Sequence, residues 1–383
     1  MVEVHTLVIG GGPSGSSCAI AAARRGLSTC LVEARRLPRV KLCAGLFTGK
    51  SQQALLHLLG DDDYATLMRK VVCSEETYFA LFDGMKCLVS CTPYRPIVLI
   101  DRPEFDYQLT QYYTSIGGTL IEGDALVSVD FDAHVATLQS GKEVKYQYLV
   151  AADGANSKVE HLLTAAKGKA NFKPKTRSAM CIEVNVDRQD LPDASGVCIH
   201  FGIVPDSYAW SFAKGEKVCL GLVKLVGQTF NAQQAMTKFM TDLGVRNIDR
   251  YPLRGAMLPF GNIMPRPVCG DVYFVGDAAG LVEPLTGEGI YYALQSGIDA
   301  GESVGDADEY LKRNDYLVRL IRKGGKYQKM LEMRAARQLF VSHASRHPGF
   351  ITHFYSTQID EGCLDSFFTI WRKYRNTKRH HKD

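Results

Sequence analysis

Apolar runs along this chain come in two textures. VHTLVIG (4–10) is a short, largely apolar run that ends in glycines, the pattern of a buried strand. The Ala-rich stretch after it predicts a helix over about 14–25, stopped by Gly26. STCLVE predicts the next strand, so residues 4–34 read as a compact β-α-β unit. Further helices are predicted over 49–59 and 102–117, and 70–100 alternates like antiparallel strands. Strands at 119–121 and 126–130 and a hairpin-like segment to 140 lead to the apolar YQYLVAAD. From about 176 to 260 the texture changes. AMCIEVNVD, GVCIHFGIV, YAWSFAKG and KVCLGLVKLV are strand-like runs between turns, as in a second, antiparallel sheet. DVYFVGDAAG returns to the buried-strand pattern, a helix follows from about 287, and 309–345 is helical and basic.

Bulk composition narrows this picture only a little. The chain has 383 residues, enough for two or three lobes, with 46% hydrophobic and 22% charged residues. A net charge of +4 is too mild to imply a nucleic-acid partner. Eleven cysteines show no CxxC pair and no zinc spacing, so reduced thiols and no metal site are expected. The start carries no charged leader, and no stretch reaches about 18 apolar residues, so the expected location is cytoplasmic. The basic tail WRKYRNTKRHHKD leaves peripheral contact with an anionic membrane open.

The first turn carries the clearest chemistry. Gly10, Gly12 and Gly15 form G-x-G-x-x-G between a strand and a helix. The glycines serve a tight turn, close approach of the backbone to a pyrophosphate, and close helix–strand packing. Ser14 stands inside the pattern, where backbone N–H groups at the helix start face the phosphates. Glu33, 23 residues after Gly10, is placed to accept from a ribose hydroxyl and disfavours a 2′-phosphate. The dinucleotide is therefore NAD or FAD.

Two later segments favour FAD. LVAADGANS ends a strand with Asp153-Gly154; YFVGDAAGLVEPLTGEGIYYAL ends another with Gly276-Asp277 and leads through Gly287, Gly289 and Ile290 into a helix. The ordered set resembles the FAD-dependent oxidoreductases built like p-hydroxybenzoate hydroxylase. The resemblance implies that Asp153 and Asp277 serve the cofactor, the aspartate of the Gly-Asp motif holding the ribityl chain. It also implies that the glycine-rich helix start offers N–H groups to the flavin edge that gains charge on reduction. Arg102, opening RPEFD, would meet the ribityl–pyrophosphate stretch, and the backbone at Ala125–Leu126 the adenine. No second glycine motif marks an NAD(P)H domain. The reductant is then NAD(P)H docking transiently, or an electron-donor protein such as ferredoxin.

PRVKLCAGL (38–46) and PDSYAWSFA (205–213) resemble one family more narrowly, the geranylgeranyl reductases, with their K-x-C-(G/A)-G loop and P-x-x-Y-x-W-x-F-P element. Here these are Lys41, Cys43, Ala44 and Gly45, then Pro205, Tyr208, Trp210 and Phe212; RGAMLPFG (254–261) also fits. The resemblance spans roughly residues 4–300. Ala213 replaces the last proline, Val159-Glu160 stands where related motifs show Val-Arg, and Ser14 stands where Ala is common.

The resemblance implies an α/β fold: a Rossmann-like FAD-binding domain (1–70, 98–170, 265–308), an antiparallel β-sheet substrate domain (71–97, 171–264) and a C-terminal helical region (309–383). It also implies reduction of carbon–carbon double bonds in an isoprenoid or other apolar, prenyl-lipid substrate. Hydride transfer to an isolated alkene needs a proton with it or before it, so an acid must stand near the reacting carbon. Cys43 and Tyr208 are the candidates, although a helix N-terminus would favour the Cys43 thiolate, a poorer acid. Tyr208, Trp210 and Phe212 alternate, so in a strand they share one face and form a candidate pocket wall. The same scaffold also serves hydroxylases, halogenases and non-catalytic flavin binders. Only Trp210 matches the halogenase W-x-W-x-I-P element, and oxygen chemistry leaves no motif to look for.

Overall fold

The computed structural model describes residues 2–168, 179–259, 262–362 and 369–374. Its three sheets follow the two textures of the sequence. The largest has eight strands. Val2–Ile9 lies at its centre, parallel to Thr29–Glu33 on one side and to Glu143–Ala151 on the other. Thr119–Glu122 and Val272–Phe274 extend the parallel set outward on either side, and a hairpin of Leu126–Asp130 and Val135–Leu138 folds onto Glu143–Ala151. Strands buried on both faces are mostly apolar, and Leu7, Val8, Leu31, Leu149 and Val150 are almost fully buried. The mixed α/β class, with a parallel sheet beside an antiparallel one, is as expected.

The helix Pro13–Arg24 starts on a proline, which suits the first turn, and packs along Ile290–Ser303. A Cβ at Gly297 would sit 2.2 Å from the Ser14 carbonyl oxygen, and one at Gly301 2.4 Å from that of Cys18. Two glycines four residues apart therefore let the helices meet backbone to backbone. That contact sets their N-termini, one from each glycine motif, against the same cavity.

The second sheet has seven strands in the order Arg254–Leu258, Ala179–Asp187, Lys217–Leu225, Tyr208–Lys214, Val197–Phe201, Phe79–Asp83, Lys86–Cys91. One face, with Ile182, Val184, Leu220 and Leu222, is covered by Met236, Phe239 and Met240 of the helix Ala232–Leu243. The opposite face turns toward the cavity. Strand alternation thus assigns one set of side chains to packing and the other to a site.

Several elements depart from the sequence reading. The 70–100 stretch divides: Val72–Glu76 and Ile97–Ile100 join Leu46–Phe47 in a separate three-stranded sheet, and only 79–91 joins the large antiparallel one. Phe79–Asp83 runs parallel to Val197–Phe201, the one parallel pairing in that sheet among the described residues. Three helices escape the apolar pattern, Asp61–Val71, Lys158–Lys167 and Ala232–Leu243, although the last two carry side-chain caps. Ser157 accepts from Glu160 N and Asn231 from Gln233 N and Gln234 N. The helix expected from 287 begins at Ile290, because Gly287 has φ +72° and Gly289 is the N-cap.

Beyond residue 306 the chain forms helices Ala307–Glu332, Arg334–Arg346 and Pro348–Phe354 and a π-helical turn, Tyr355–Asp360. Phe340, Phe350, Ile351 and Tyr355 share one apolar cluster with Trp210, Phe212 and Phe79. The C-terminal helices therefore cover the cavity-facing side of the antiparallel sheet. Most of the basic tail, residues 375–383, lies outside the described residues, as do Phe260 and Gly261 of the RGAMLPFG run. No helix among the described residues is long and apolar enough to cross a membrane. Among them there is also no disulfide and no cluster suited to a metal.

Candidate active site

A cavity of about 370 Å³ lies between the two sheets. It gathers Gly10, Gly12, Ser14, Glu33, Cys43, Ala44, Gly45, Arg102, Leu126, Asp153, Tyr208, Trp210, Phe212, Asp277, Gly287, Gly289 and Ile290, drawn from distant parts of the chain. Gly15 and Ala125 do not line it. Gly15 is a packing glycine: a Cβ there would lie 1.8 Å from the Gly10 carbonyl oxygen. The Ala125 carbonyl accepts from Gln139 N at 2.8 Å, within the hairpin.

The glycines of the first turn separate by cause. Gly10 has φ +110° and no room for a Cβ, which would meet the Ala152 carbonyl oxygen at 2.4 Å. Gly12 has an ordinary φ of −82°, and its Cβ would find only Arg39 Nη2, at 3.7 Å. Nothing in the described chain requires glycine at 12. The open space lies at the start of a 12-residue helix whose N-cap has no side-chain acceptor, so free N–H groups face it.

Four charged groups line the adjoining wall. Glu33 accepts from Gly11 N at 2.9 Å and pairs with Arg39 Nε at 3.2 Å; Arg39 Nη1 reaches Asp106 at 3.0 Å. Asp106 in turn holds Arg102 at 3.0 Å. Burial works against the Arg102 charge, but the Asp106 carboxylate and the Cys43 sulfur outweigh it and hold its pKa above the usual range. Sequence reasoning singled out Glu33 and Arg102 and missed Arg39 and Asp106. The i, i+4 spacing of Arg102 and Asp106 was the available signal.

At the far end, Asp277 and the backbone from Gly287 to Ile290 face the same space. A Cβ on Gly289 would meet nothing closer than Asp277 Oδ1 at 3.5 Å, again an unfilled position. Asp153 Oδ2 accepts from Val159 N at 3.0 Å, while Oδ1 is buried with no partner among the described residues. Burial pushes the Asp153 carboxyl up from its ordinary range. An orphaned acceptor, two glycines with space and no packing role, and two open helix starts fit an elongated ligand rich in hydroxyl and phosphate groups.

The antiparallel sheet closes the other side. Tyr208, Trp210 and Phe212 share the cavity face as their alternation predicts. The Tyr208 hydroxyl donates to the Thr286 carbonyl at 2.7 Å, joining this wall to the glycine-rich segment. Its proton is committed there, and burial raises its pKa well above the ordinary value. The Trp210 N–H faces the Cys219 thiol and meets no nitrogen or oxygen acceptor among the described residues. Cys43 N–H donates to Glu183 Oε1 at 3.3 Å, and Gly45 N–H to Cys43 Sγ at 3.4 Å. Gly45 has φ +86°, and its Cβ would strike the Ile100 carbonyl oxygen at 2.3 Å.

The C-terminal turn also borders the cavity. Ile359 lines the cavity, its carbonyl accepts from Lys50 Nζ at 2.7 Å, and Asp360 accepts from Gly49 N at 2.6 Å. Lys50 also pairs with Glu288 at 2.7 Å, both nearly fully buried. Neither the Lys50–Glu288 pair nor Ile359 had any signal in the local sequence.

Residues 3–202 match the FAD binding domain family. The chain belongs to that family. This flavoprotein is an FAD-dependent oxidoreductase, and the unfilled glycine positions, the orphaned Asp153 oxygen and the helix starts suit FAD. It is 26% identical over 334 residues to digeranylgeranylglycerophospholipid reductase 3 of Methanosphaera stadtmanae, covering 82% of this chain and 79% of that one. It is 28% identical over 311 residues to geranylgeranyl diphosphate reductase of Rhodobacter capsulatus, covering 79% and 75%. The crystal structure of a geranylgeranyl bacteriochlorophyll reductase-like protein from Thermoplasma acidophilum matches with TM-score 0.75 at 18% identity, over 88% of this chain and 90% of that one. That match shows the fold, and it takes in most of the chain.

Proposed function

We propose that this flavoprotein reduces carbon–carbon double bonds of an isoprenoid chain, carried on a prenyl lipid or a similar apolar substrate. One observation carries the reading: the Tyr208–Trp210–Phe212 wall and the glycine motifs line one cavity. An apolar chain laid on the aromatic wall would meet the cofactor edge in a site enclosed by the Ile359 turn. Bound there, FAD supplies a hydride equivalent; the chain's own residues hold the reactants, exclude water and supply the proton.

Individual roles follow from position. The backbone at Gly10, Gly12 and Ser14, with Gly15 keeping the helix close, would receive the pyrophosphate, and Arg102 would neutralise it. Glu33 would hold the adenosine ribose and Leu126 pack beside the adenine. Asp153 and Asp277 would accept from the ribityl hydroxyls. Gly287, Gly289 and Ile290 would offer N–H groups to the flavin edge that gains charge, with Ala44 and Gly45 against the ring. Trp210 and Phe212 would grip the substrate, Tyr208 would fix the wall to the 286 segment, and Cys43 would border the reacting alkene.

In this reading residues 1–70, 98–170 and 265–308 serve the cofactor, 71–97 and 171–264 the substrate, and the region after 309 closes the site. The electron donor is NAD(P)H docking transiently or a reduced donor protein, and the basic tail holds the protein reversibly at an anionic membrane. Anaerobic incubation with dithionite and prenyl substrates tests the reaction. A mass gain of about two per double bond supports it; turnover that requires O2 and adds oxygen overturns it.

A further inference from the structure

Among the described residues, six carboxylates and one tyrosine border the cavity, and most have committed their proton or charge. Glu33 and Asp106 are paired with arginines, Glu288 with Lys50, and the Tyr208 hydroxyl donates to Thr286. Asp153 and Asp277 stand at the strand ends that carry the cofactor motifs. Glu183 is different. It projects from the middle of the strand Ala179–Asp187 on the cavity-facing side of the antiparallel sheet, among Cys181, Val223, Ile199 and the aromatic wall. It pairs in register with Gly221, and Gly221 with Trp210, so the three form one row across three strands. Gly221 carries no side chain, and the Trp210 indole lies over it toward the Glu183 strand. The Cys43 N–H holds Glu183 Oε1 at 3.3 Å, which sets the carboxyl where the Lys41–Gly45 loop meets the substrate wall.

Resting on the reductase reading above, we propose that Glu183 is the acid that protonates the substrate alkene. The carboxyl O–H bond breaks and its proton forms a C–H bond at one alkene carbon. The second C–H bond, at the other carbon, would take the hydride, with its electron pair, that reduced FAD would supply. The double bond becomes a single bond, Glu183 is left as carboxylate, and it regains its proton from water. A two-electron donor then restores the cofactor. The surroundings suit an acid that keeps its proton until use. Burial pushes the Glu183 carboxyl above its ordinary range, against the pull of Lys214, the Cys43 N–H, the Cys219 thiol and Arg102. Lys214 lies at the end of the neighbouring Tyr208–Lys214 strand, Arg102 at the start of its helix, and the Cys43, Cys181 and Cys219 thiols face the same point. Arg254, opposite Glu183 on the edge strand, is exposed.

The test compares wild type, E183Q and E183D, each carrying FAD and reduced by dithionite without oxygen. General acid catalysis contributes about 10²–10⁴-fold, so E183Q should lose alkene reduction by at least about 100-fold. It should keep its flavin spectrum and its bleaching by dithionite, and E183D should recover part of the rate. Wild-type turnover should fall as pH rises through the Glu183 ionisation, and the residual E183Q rate should not. Protonation is read without turnover by infrared difference spectroscopy of the FAD-free protein. Wild type should show a neutral-carboxyl band, absent in E183Q, that persists to higher pH than free glutamate. E183Q turning over within about twofold of an active wild type, or the missing band, overturns the role of Glu183 alone. A wild type that reduces no alkene overturns the reductase reading and this inference with it.

Discussion

The Trp210 indole occupies the space that a side chain at Gly221 would need: a Cβ there would lie 2.1 Å from Trp210 Cζ2. The two residues pair directly across adjacent strands. A glycine in the middle of a central strand is costly to a sheet, and here it gives the indole its seat.

Gly221→Val should therefore push Trp210 off its seat. Overpacking of this kind costs about 1–3 kcal/mol, measurable by denaturant titration. FAD should stay bound, since the substitution is on the substrate side, while turnover of long prenyl substrates falls. A variant with wild-type stability and turnover would show that the row does not shape the pocket.

Gly12 and Gly15 should separate cleanly. Gly12→Ala meets no protein atom closer than 3.7 Å, so stability without cofactor should change by less than about 0.5 kcal/mol while FAD affinity drops. Gly15→Ala places its Cβ 1.8 Å from a backbone carbonyl and should fail to fold well with or without FAD. Thermal melts with and without added FAD distinguish the two.

Asp106 holds both Arg39 and Arg102 while fully buried. Asp106→Asn leaves two guanidinium groups without their shared carboxylate. Breaking a buried pair costs about 3–5 kcal/mol, read by denaturant titration, and FAD affinity should weaken with it.

Asp299 gives a pH prediction. Burial raises its pKa from 3.8 to about 6, with Gln295 donating at 2.9 Å. A folded-state pKa above the unfolded value means the folded chain binds the proton more tightly. Stability therefore falls as pH rises from about 4 to about 6 and stays lowered above it. At 1.36 kcal/mol per pH unit the loss reaches about 3 kcal/mol. Asp299→Asn should raise the Tm at pH 7–8, and the gain should vanish near pH 4; a pH-independent difference would contradict the assignment.

Legibility in the sequence tracked how local each cause was. The parallel strands and the Gly10–Gly15 turn are set by contiguous runs, so their pattern and function were readable together. The Tyr208–Trp210–Phe212 face follows from strand alternation alone. Glu183 was hidden because its meaning comes from partners far along the chain: Cys43 from a loop, Gly221 and Trp210 from neighbouring strands. Asp106 was hidden by its nearness to Arg102, which drew the phosphate reading by itself. The covering role of the C-terminal helices was invisible because their apolar residues read as ordinary helical core, and only packing shows that Phe340, Phe350 and Tyr355 join Trp210. The helices at 158–167 and 232–243 carry legible caps in Ser157 and Asn231.

The central claim is alkene reduction in the cavity bounded by the aromatic wall and the FAD motifs. Mass spectrometry of a geranylgeranyl substrate incubated anaerobically with dithionite-reduced protein tests it most directly. The account predicts product heavier by about two mass units for each double bond reduced, lost in Trp210→Ala while its flavin is retained. Unchanged substrate without oxygen, together with oxygen-containing product once air is admitted, would contradict it.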